Sequence, residues 1–577
     1  MLKEYLRRYV KYLRPFINYE VMIFIILGLS SLISLVNPLL FKVIIDRILI
    51  LKEVELLNYV IGIFLFFFII NLLMSFCNGY LNLYVNQSIA KNIRNDLVNH
   101  LQKCKLHVLE NIKVGDVVSK SIDDVSTVTG FMTDTIISII NNLTNVIITA
   151  LVMFYFSWKL SLIGILSVLI QTYISTRYAK KVKINQEEIR EKASVHISFL
   201  KQIMSSIKII KAYSKEEANS EEYDSLLKRI IHLSYDRFLI IFKHSSFVSL
   251  VSFVSSMLIF IIAIYEIYKG NMTVGVFFVF DTLVERFNQF SSALINININ
   301  IQNVIVAFGR IESIFNMKKE DNILLNETIE GSDIIVDNLS FKYEADSDID
   351  VIKNLSLQFK KGSKYAIIGE SGEGKSTISN LLIRLYDIED DKGNIIIGNK
   401  NIKNINIYKL RQKISVVFQE GYLINGSIEE NILYGNSNVE ERYFQKILEL
   451  CYIQDFIIQL PNGIQTIIGE NGFNLSSGQK QRICIARSLL RNSDIYIFDE
   501  SFSNLDKKLE SKIYNNILKE FQDKTIIFII HNLDLIKGMN NICVLKEGNI
   551  EAIGSSDELM RKSETYKELL DRGKNIG

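Results

Sequence analysis

Cysteine is scarce and scattered. The five cysteines (Cys77, Cys104, Cys451, Cys484 and Cys543) lie far apart in 577 residues, with no Cys-x-x-Cys pair and no Cys/His ligand spacing. A disulfide framework and a metal site therefore have no support, and the five read as isolated thiols. An excess of one charge is also missing: 65 Lys and Arg stand against 63 Asp and Glu, for a net charge of +2. A chain so balanced has no bulk attraction for a polyanion, and no nucleic-acid partner is expected. The N-terminus lacks the apolar core of a cleaved secretion signal. Residues 1–15 are basic and amphipathic instead, the pattern of a helix lying on a membrane surface.

Apolar residues are abundant. They make up 49% of the chain, and the mean hydropathy is +0.20. That is too apolar for a disordered chain and high for a purely soluble one. The excess sits in the first half, in six runs of spanning length at about 20–45, 57–82, 134–156, 159–178, 246–268 and 274–300. One such run is often a buried core helix; six in one half of a chain point to a membrane domain. Runs two and three, and four and five, are separated by long polar stretches that keep helical periodicity. The second of these, 177–243, holds 14 Lys and Arg and belongs with the basic N-terminus on the cytoplasmic side. The simplest picture is two helical hairpins reaching into the cytoplasm, with tips near Lys113–Asp116 and Tyr213–Ser220.

Residues 317–332 read as a polar linker, and 333–577 as an α/β domain with strands near 334–343, 365–369, 495–498, 526–530 and 542–546. Within it, Gly369-Glu370-Ser371-Gly372-Glu373-Gly374-Lys375-Ser376-Thr377 fits G-x4-G-K-[ST], after an apolar strand and before a helical run. In that context the glycines let backbone N–H groups wrap phosphates, Lys375 reaches the β/γ-phosphates, and the Ser376 hydroxyl binds Mg²⁺. ATP and Mg²⁺ are the expected cofactors. Downstream, the strand ending Phe498-Asp499-Glu500 offers one carboxylate for the metal, Asp499, and one to polarise the attacking water, Glu500.

Between these lies Leu475-Ser476-Ser477-Gly478-Gln479, which resembles the ABC transporter signature, usually Leu-Ser-Gly-Gly-Gln. The resemblance covers essentially the whole chain, in the order of an exporter half-transporter. It implies an all-α six-helix transmembrane domain with long cytoplasmic helical extensions (1–316), followed by an α/β P-loop ABC ATPase domain (333–577). It also implies roles for single residues. Tyr343 matches the aromatic that stacks on adenine, and Gln419 the glutamine that senses Mg²⁺. Thr466 to Gly472 resembles the exporter X-loop, Asp506 closes a D-loop, and His531 matches the switch histidine near the γ-phosphate. In the family, each ATP lies between one phosphate loop and the opposite signature. The implied partner is therefore a second half-transporter: a homodimer suffices, and a heterodimer remains open. Three positions depart from the pattern: Ser477 replaces a glycine, Asn504 an alanine, and Asn532 an arginine. Ser477 would cost stability if its position needed positive φ. With Glu500 and His531 intact, hydrolysis is expected.

For the cargo, the sixth run is the informative one. Asp281, Glu285, Asn288, Ser292 and Asn296 recur at intervals of three or four, and Asn303 follows at seven, all on one face, with Arg286 one step aside to neutralise part of the charge. A carboxylate in the bilayer centre costs roughly 2.5–3.5 kcal/mol on insertion scales, so this face should meet water or a partner. Such a path suits a peptide or a cationic amphiphile better than a fully apolar drug. Lipid flipping and multidrug export are the alternatives, and an ATP-gated sensor or channel is a further one. With no peptidase domain ahead of the basic helix, a peptide's leader would be cut elsewhere. The expected location is the plasma membrane, with the ATPase in the cytoplasm, and the Ile/Asn/Lys-rich composition points to a bacterium.

Overall fold

The helices of the N-terminal half are longer than a bilayer is thick. Leu56–Leu101, Trp158–Ser205, Glu216–Tyr268 and Val274–Phe315 contain 46, 48, 53 and 42 residues. At 1.5 Å per residue they measure about 60–80 Å, roughly twice the hydrocarbon core. The computed structural model describes residues 2–320, 329–343, 350–436, 438–469, 475–536 and 538–574, without the side chains of 2–4, 6, 292, 294–300, 302 and 572–574. The chain divides into two compact units, Met1–Gln102 with Ile112–Met317, and Lys103–Asn111 with Lys318–Gly577. Half of the expected linker, 321–328, lies outside the described residues.

In the first unit, Phe66, Phe68 and Phe76 on Leu56–Leu101 are 60%, 58% and 70% exposed. Surface of this kind is a liability in water and is the required one against lipid tails. Among the described residues, five helical runs, Arg7–Ile50, Leu56–Leu101, Val114–Phe156, Trp158–Ser205 and Glu216–Tyr268, are long and apolar enough to cross a membrane. The sixth expected span falls in Val274–Phe315, which carries Asp281, Glu285 and Arg286. The first expected span is divided at Leu35, because Pro38 has no N–H to continue the ladder to Ser34. Ser157 and Thr273 each cap a helix start, accepting from the N–H of Leu160 and of Val276.

Both hairpin tips lie slightly earlier than expected. The first reversal runs from Gln102 to Lys113 through the short helix Leu106–Glu110. The second runs from Ser206 to Lys215, and helix resumes at Glu216–Glu217, where two carboxylates suit a helix N-terminus. Many polar residues of the spans tie helices together. Ser30 donates to Asn71 at 2.8 Å, Asn82 to Asp134 at 2.6 Å, Asn86 to Thr133 at 3.0 Å and Gln171 to Ser252 at 3.2 Å, and Ser31 bonds Asn145. Such bonds replace the hydrophobic driving force that lipid does not supply.

The second unit holds two main sheets. In chain order its strands are β1 Ile334–Phe341, β2 Ile352–Phe359, β3 Lys364–Ile368, β4 Asn394–Ile397, β5 Lys400–Asn401, β6 Ile414–Val417, β7 Gly426–Ser427, β8 Ile467–Ile468, β9 Ile495–Asp499, β10 Thr525–Ile529, β11 Ile542–Lys546 and β12 Asn549–Gly554. An antiparallel sheet has the order β2-β1-β4-β5, and the central sheet has the order β12-β11-β3-β10-β9-β6. In the central sheet β10 pairs in parallel with both β3 and β9. Every residue of β9 and β10 is buried, as expected for parallel strands covered on both faces. The three strands therefore end side by side, and the loops leaving their C-terminal ends meet at one place.

Asn431, fully buried, holds the segment after Gln419. Its amide donates to the carbonyls of Ile424 at 2.9 Å and Ser427 at 3.0 Å, and its oxygen accepts from the Ile424 N–H at 2.8 Å and from Arg487 at 3.0 Å. Asn431→Ala strands several buried partners. It should destabilise the ATPase unit by about 2–4 kcal/mol, read as a lower denaturation midpoint of the purified protein in detergent or nanodiscs.

Candidate active site

The phosphate loop joins β3 to the helix Lys375–Leu382. Gly372 and Gly374 sit at φ +91° and +92°, a region side chains disfavour. At Gly374 an added Cβ would also lie 2.6 Å from Ile352 Cδ1. The loop aims the helix N-terminus, with its unpaired N–H groups, outward. Lys375 is only 4% exposed and donates to the carbonyls of Gly369 at 3.0 Å and Glu370 at 2.6 Å. Burial pulls its ammonium below the ordinary lysine range, with Glu500 and Asp499 working against that pull. Glu373 is tied back to the Gly548 N–H at 3.2 Å, and Ser371 is exposed.

Asp499 ends β9 and is 2% exposed. Ser376 donates to its Oδ1 at 2.9 Å, and Ser379 to its Oδ2 at 3.0 Å. Burial pushes this carboxyl up, and the two hydroxyls pull it down. The next residue, Glu500, has φ +46°, a conformation costing a non-glycine residue roughly 1–2 kcal/mol. Its N–H is held by the Ile529 carbonyl at 3.0 Å, so the strain is imposed from β10. Both carboxylate oxygens are engaged: Gln419 donates to Oε2 at 2.7 Å, and His531 Nε2 meets Oε1 at 2.7 Å. With Glu500 ionised, the second bond places the imidazole proton on Nε2. Each oxygen keeps a lone pair for a water molecule.

Thus Lys375, Ser376, Asp499, Glu500, Gln419 and His531 converge, as their strands require. Tyr343 joins them through a 2.9 Å bond to Thr377 Oγ1 and keeps a ring 42% exposed. Hydroxyl, carboxylate, ammonium and free N–H groups together fit a magnesium nucleotide: hard oxygen ligands for the cation and donors for the phosphates.

The signature residues are engaged elsewhere. Ser476 caps the helix Ser477–Leu490 in a reciprocal pair with Gln479. Ser477 is the first residue of that helix and is not among the positive-φ residues, so the expected backbone cost does not arise. Gly478 packs on Asn504, whose carbonyl would lie 3.0 Å from an added Cβ. Asp506 caps the helix Lys507–Glu520 through the Leu509 N–H at 2.9 Å. Asn532 donates to Glu510 at 2.9 Å. Of the X-loop, Glu470 to Gly472 lie outside the described residues.

On Val274–Phe315, Asp281 and Glu285 are exposed and Asn288 is half-buried, while the side chains of Ser292 and Asn296 lie outside the described residues. Arg286 forms no ion pair with this face among the described residues and donates instead to Ser34 on the first span at 2.9 Å.

Sequence reasoning missed one contact set entirely. Tyr386, 8% exposed, places its ring against Tyr343, with centroids 5.0 Å apart and planes at 88°. Its hydroxyl donates to Glu110, 2.7 and 2.8 Å from the two carboxylate oxygens. Lys105 pairs with Asp387 at 2.7 Å. Burial alone would raise the Asp387 carboxyl, but Lys105 and Arg384 hold it below the usual carboxylate range. The loop between the helices Leu56–Leu101 and Val114–Ser119 is thereby anchored beside the Tyr343 ring. Only Leu106 among its apolar residues packs on the sheet core, too weak a signal to read in advance.

Comparison with known proteins agrees with this geometry. The family model described as the ABC transporter transmembrane region matches residues 21–292, and that described as ABC transporter matches residues 352–503. The chain is 30% identical over 550 residues to the lactococcin-G-processing and transport ATP-binding protein LagD of Lactococcus lactis, covering 94% of this chain and 77% of that one. It is 28% identical over 543 residues to an ATP-dependent lipid A-core flippase of Syntrophus aciditrophicus, covering 93% and 88%. A bacterial Atm1-family ABC exporter with ATP bound has the same fold, with a TM-score of 0.81 at 22% identity over 97% of this chain and 98% of that one. The chain therefore belongs to the ABC transporter family, with membrane and ATPase parts of the exporter arrangement in one polypeptide, and is an ATPase coupled to transport.

Proposed function

We propose that the protein works as a dimer of half-transporters, exporting a cationic peptide or amphiphile across the plasma membrane with the ATPase in the cytoplasm. The observation that carries the cargo reading is the acidic face of Val274–Phe315. Asp281 and Glu285 are exposed on a helix otherwise rich in Val, Phe and Leu, and neither forms an ion pair with a described residue. Two carboxylates in so apolar a setting attract positive charge. LagD, with lactococcin G in its name, is a relative in keeping with a peptide. The flippase relative keeps lipid export as the second reading.

Within one chain the signature residues bond among themselves, so a second copy is the natural source of the donors that would close over the phosphate loop. A magnesium ion bound at Ser376 and Asp499 would neutralise phosphate charge. Lys375 would hold the outer phosphates by turning its ammonium from the Gly369 and Glu370 carbonyls. Glu500 would orient a water through its remaining lone pairs, while Gln419 and His531 keep its carboxylate fixed.

Glu500→Gln should cut ATP turnover at least about 100-fold while leaving nucleotide affinity unchanged, measured as phosphate release and analogue binding in nanodiscs. Asp281→Asn with Glu285→Gln should raise the concentration of a cationic peptide that half-maximally stimulates ATPase by about tenfold, with basal activity kept. Stimulation unchanged in the double variant would remove the cationic-cargo reading. Tyr386→Phe should lower the stimulation by cargo and spare ATP binding, since it removes the bond to Glu110 and keeps the ring beside Tyr343. Equal loss of both would contradict a coupling role for that bond.

A further inference from the structure

Ser379 lies one helical turn beyond Ser376 in the helix Lys375–Leu382. The phosphate-loop pattern ends at Thr377 and assigns it nothing. Its side chain is 0% exposed and faces Asp499, which is 2% exposed. The hydroxyl has one proton and two acceptors within reach: Asp499 Oδ2 at 3.0 Å and the Ser376 carbonyl at 2.8 Å. Ser376 occupies Oδ1 at 2.9 Å. Each oxygen of the carboxylate therefore has its own serine.

We propose that Ser379 is a positioning residue for the metal-binding carboxylate: by donating to Oδ2 it fixes the plane of Asp499, leaving Oδ1 beside the Ser376 hydroxyl as the oxygen offered to a divalent cation. The proposal rests on the reading of this loop as a magnesium-nucleotide site. Its physical basis is the cost of a buried acceptor without a donor. Asp499 is 2% exposed, so little water is at hand to replace the Oδ2 bond, and a carboxylate released by Ser379 would turn toward whatever donor remained. The Ser376 carbonyl gives the serine hydroxyl a second acceptor of the kind common inside helices. Ser379 can thus follow small movements of Asp499 without being left unpaired. An alanine there would hold nothing, and a cysteine would be only a weak donor.

The test uses the full chain in nanodiscs and the non-hydrolysable analogue AMP-PNP, so that binding rather than turnover is read. Calorimetry gives its affinity in EDTA and at rising Mg²⁺. In Ser379→Ala the Mg²⁺ concentration needed to raise AMP-PNP affinity should increase about tenfold, the worth of one charge-assisted bond, while the affinity in EDTA stays as in wild type. Ser379→Cys should behave like alanine, and Ser379→Thr, which keeps the hydroxyl, like wild type. An unmoved Mg²⁺ requirement in both the alanine and cysteine variants overturns the proposal. So does a parallel fall in EDTA and in Mg²⁺, which would mark a packing role alone. Wild-type affinity indifferent to Mg²⁺ would overturn the reading of the site itself.

Discussion

The parallel pairing of β3 with β10 and of β10 with β9 is the constraint on which the rest of the catalytic unit depends. Three buried strands ending together deliver a phosphate loop, a carboxylate pair and a histidine to one place. Residues far apart in the chain then need no flexible search to meet. The pairing also imposes strain. Glu500 is held at φ +46° by a bond to the last residue of β10, and its carboxylate is held by Gln419 and His531. A carboxylate fixed at both backbone and side chain would need little reorganisation in the hydrolytic role proposed for it.

The membrane half obeys a different rule. Its apolar surface is exposed because lipid replaces a core, and its polar residues tie helices to one another. The asparagines of the second span show this most clearly: Asn71, Asn82 and Asn86 each reach a neighbouring helix. Asp281 and Glu285 differ from these asparagines: both are exposed and neither has an ion pair among the described residues. That contrast is what supports the proposed cargo role of the pair.

Much of this was legible from the chain because the signals are local. A glycine-rich loop between strand and helix, a strand ending in two carboxylates and spans of bilayer length are each complete within a short segment. The buried strands β3, β9, β10 and β11 were readable as apolar runs. Others were harder: β2 alternates buried and exposed residues without a strong apolar run, and β5, β7 and β8 have two residues each. The unreadable features depend on distant partners. Glu110 and Tyr386 are 276 positions apart, Ser379 meets Asp499 only through the fold, and Arg286 turns to Ser34 because the first span packs there. The condition under which Ser477 would cost stability is not met, for a local reason: Ser476 caps a helix, so the next residue takes helical backbone angles.

The central claim is that hydrolysis at the β3–β10–β9 strand ends drives a cationic cargo through this chain. It is tested most directly by uptake of a labelled cationic peptide into inside-out proteoliposomes containing only this polypeptide. The account predicts accumulation against a gradient with ATP and Mg²⁺, and none with ADP or with ATP in EDTA. Equal accumulation without ATP, or ATP hydrolysis with no peptide accumulation while labelled lipid is flipped, would contradict it.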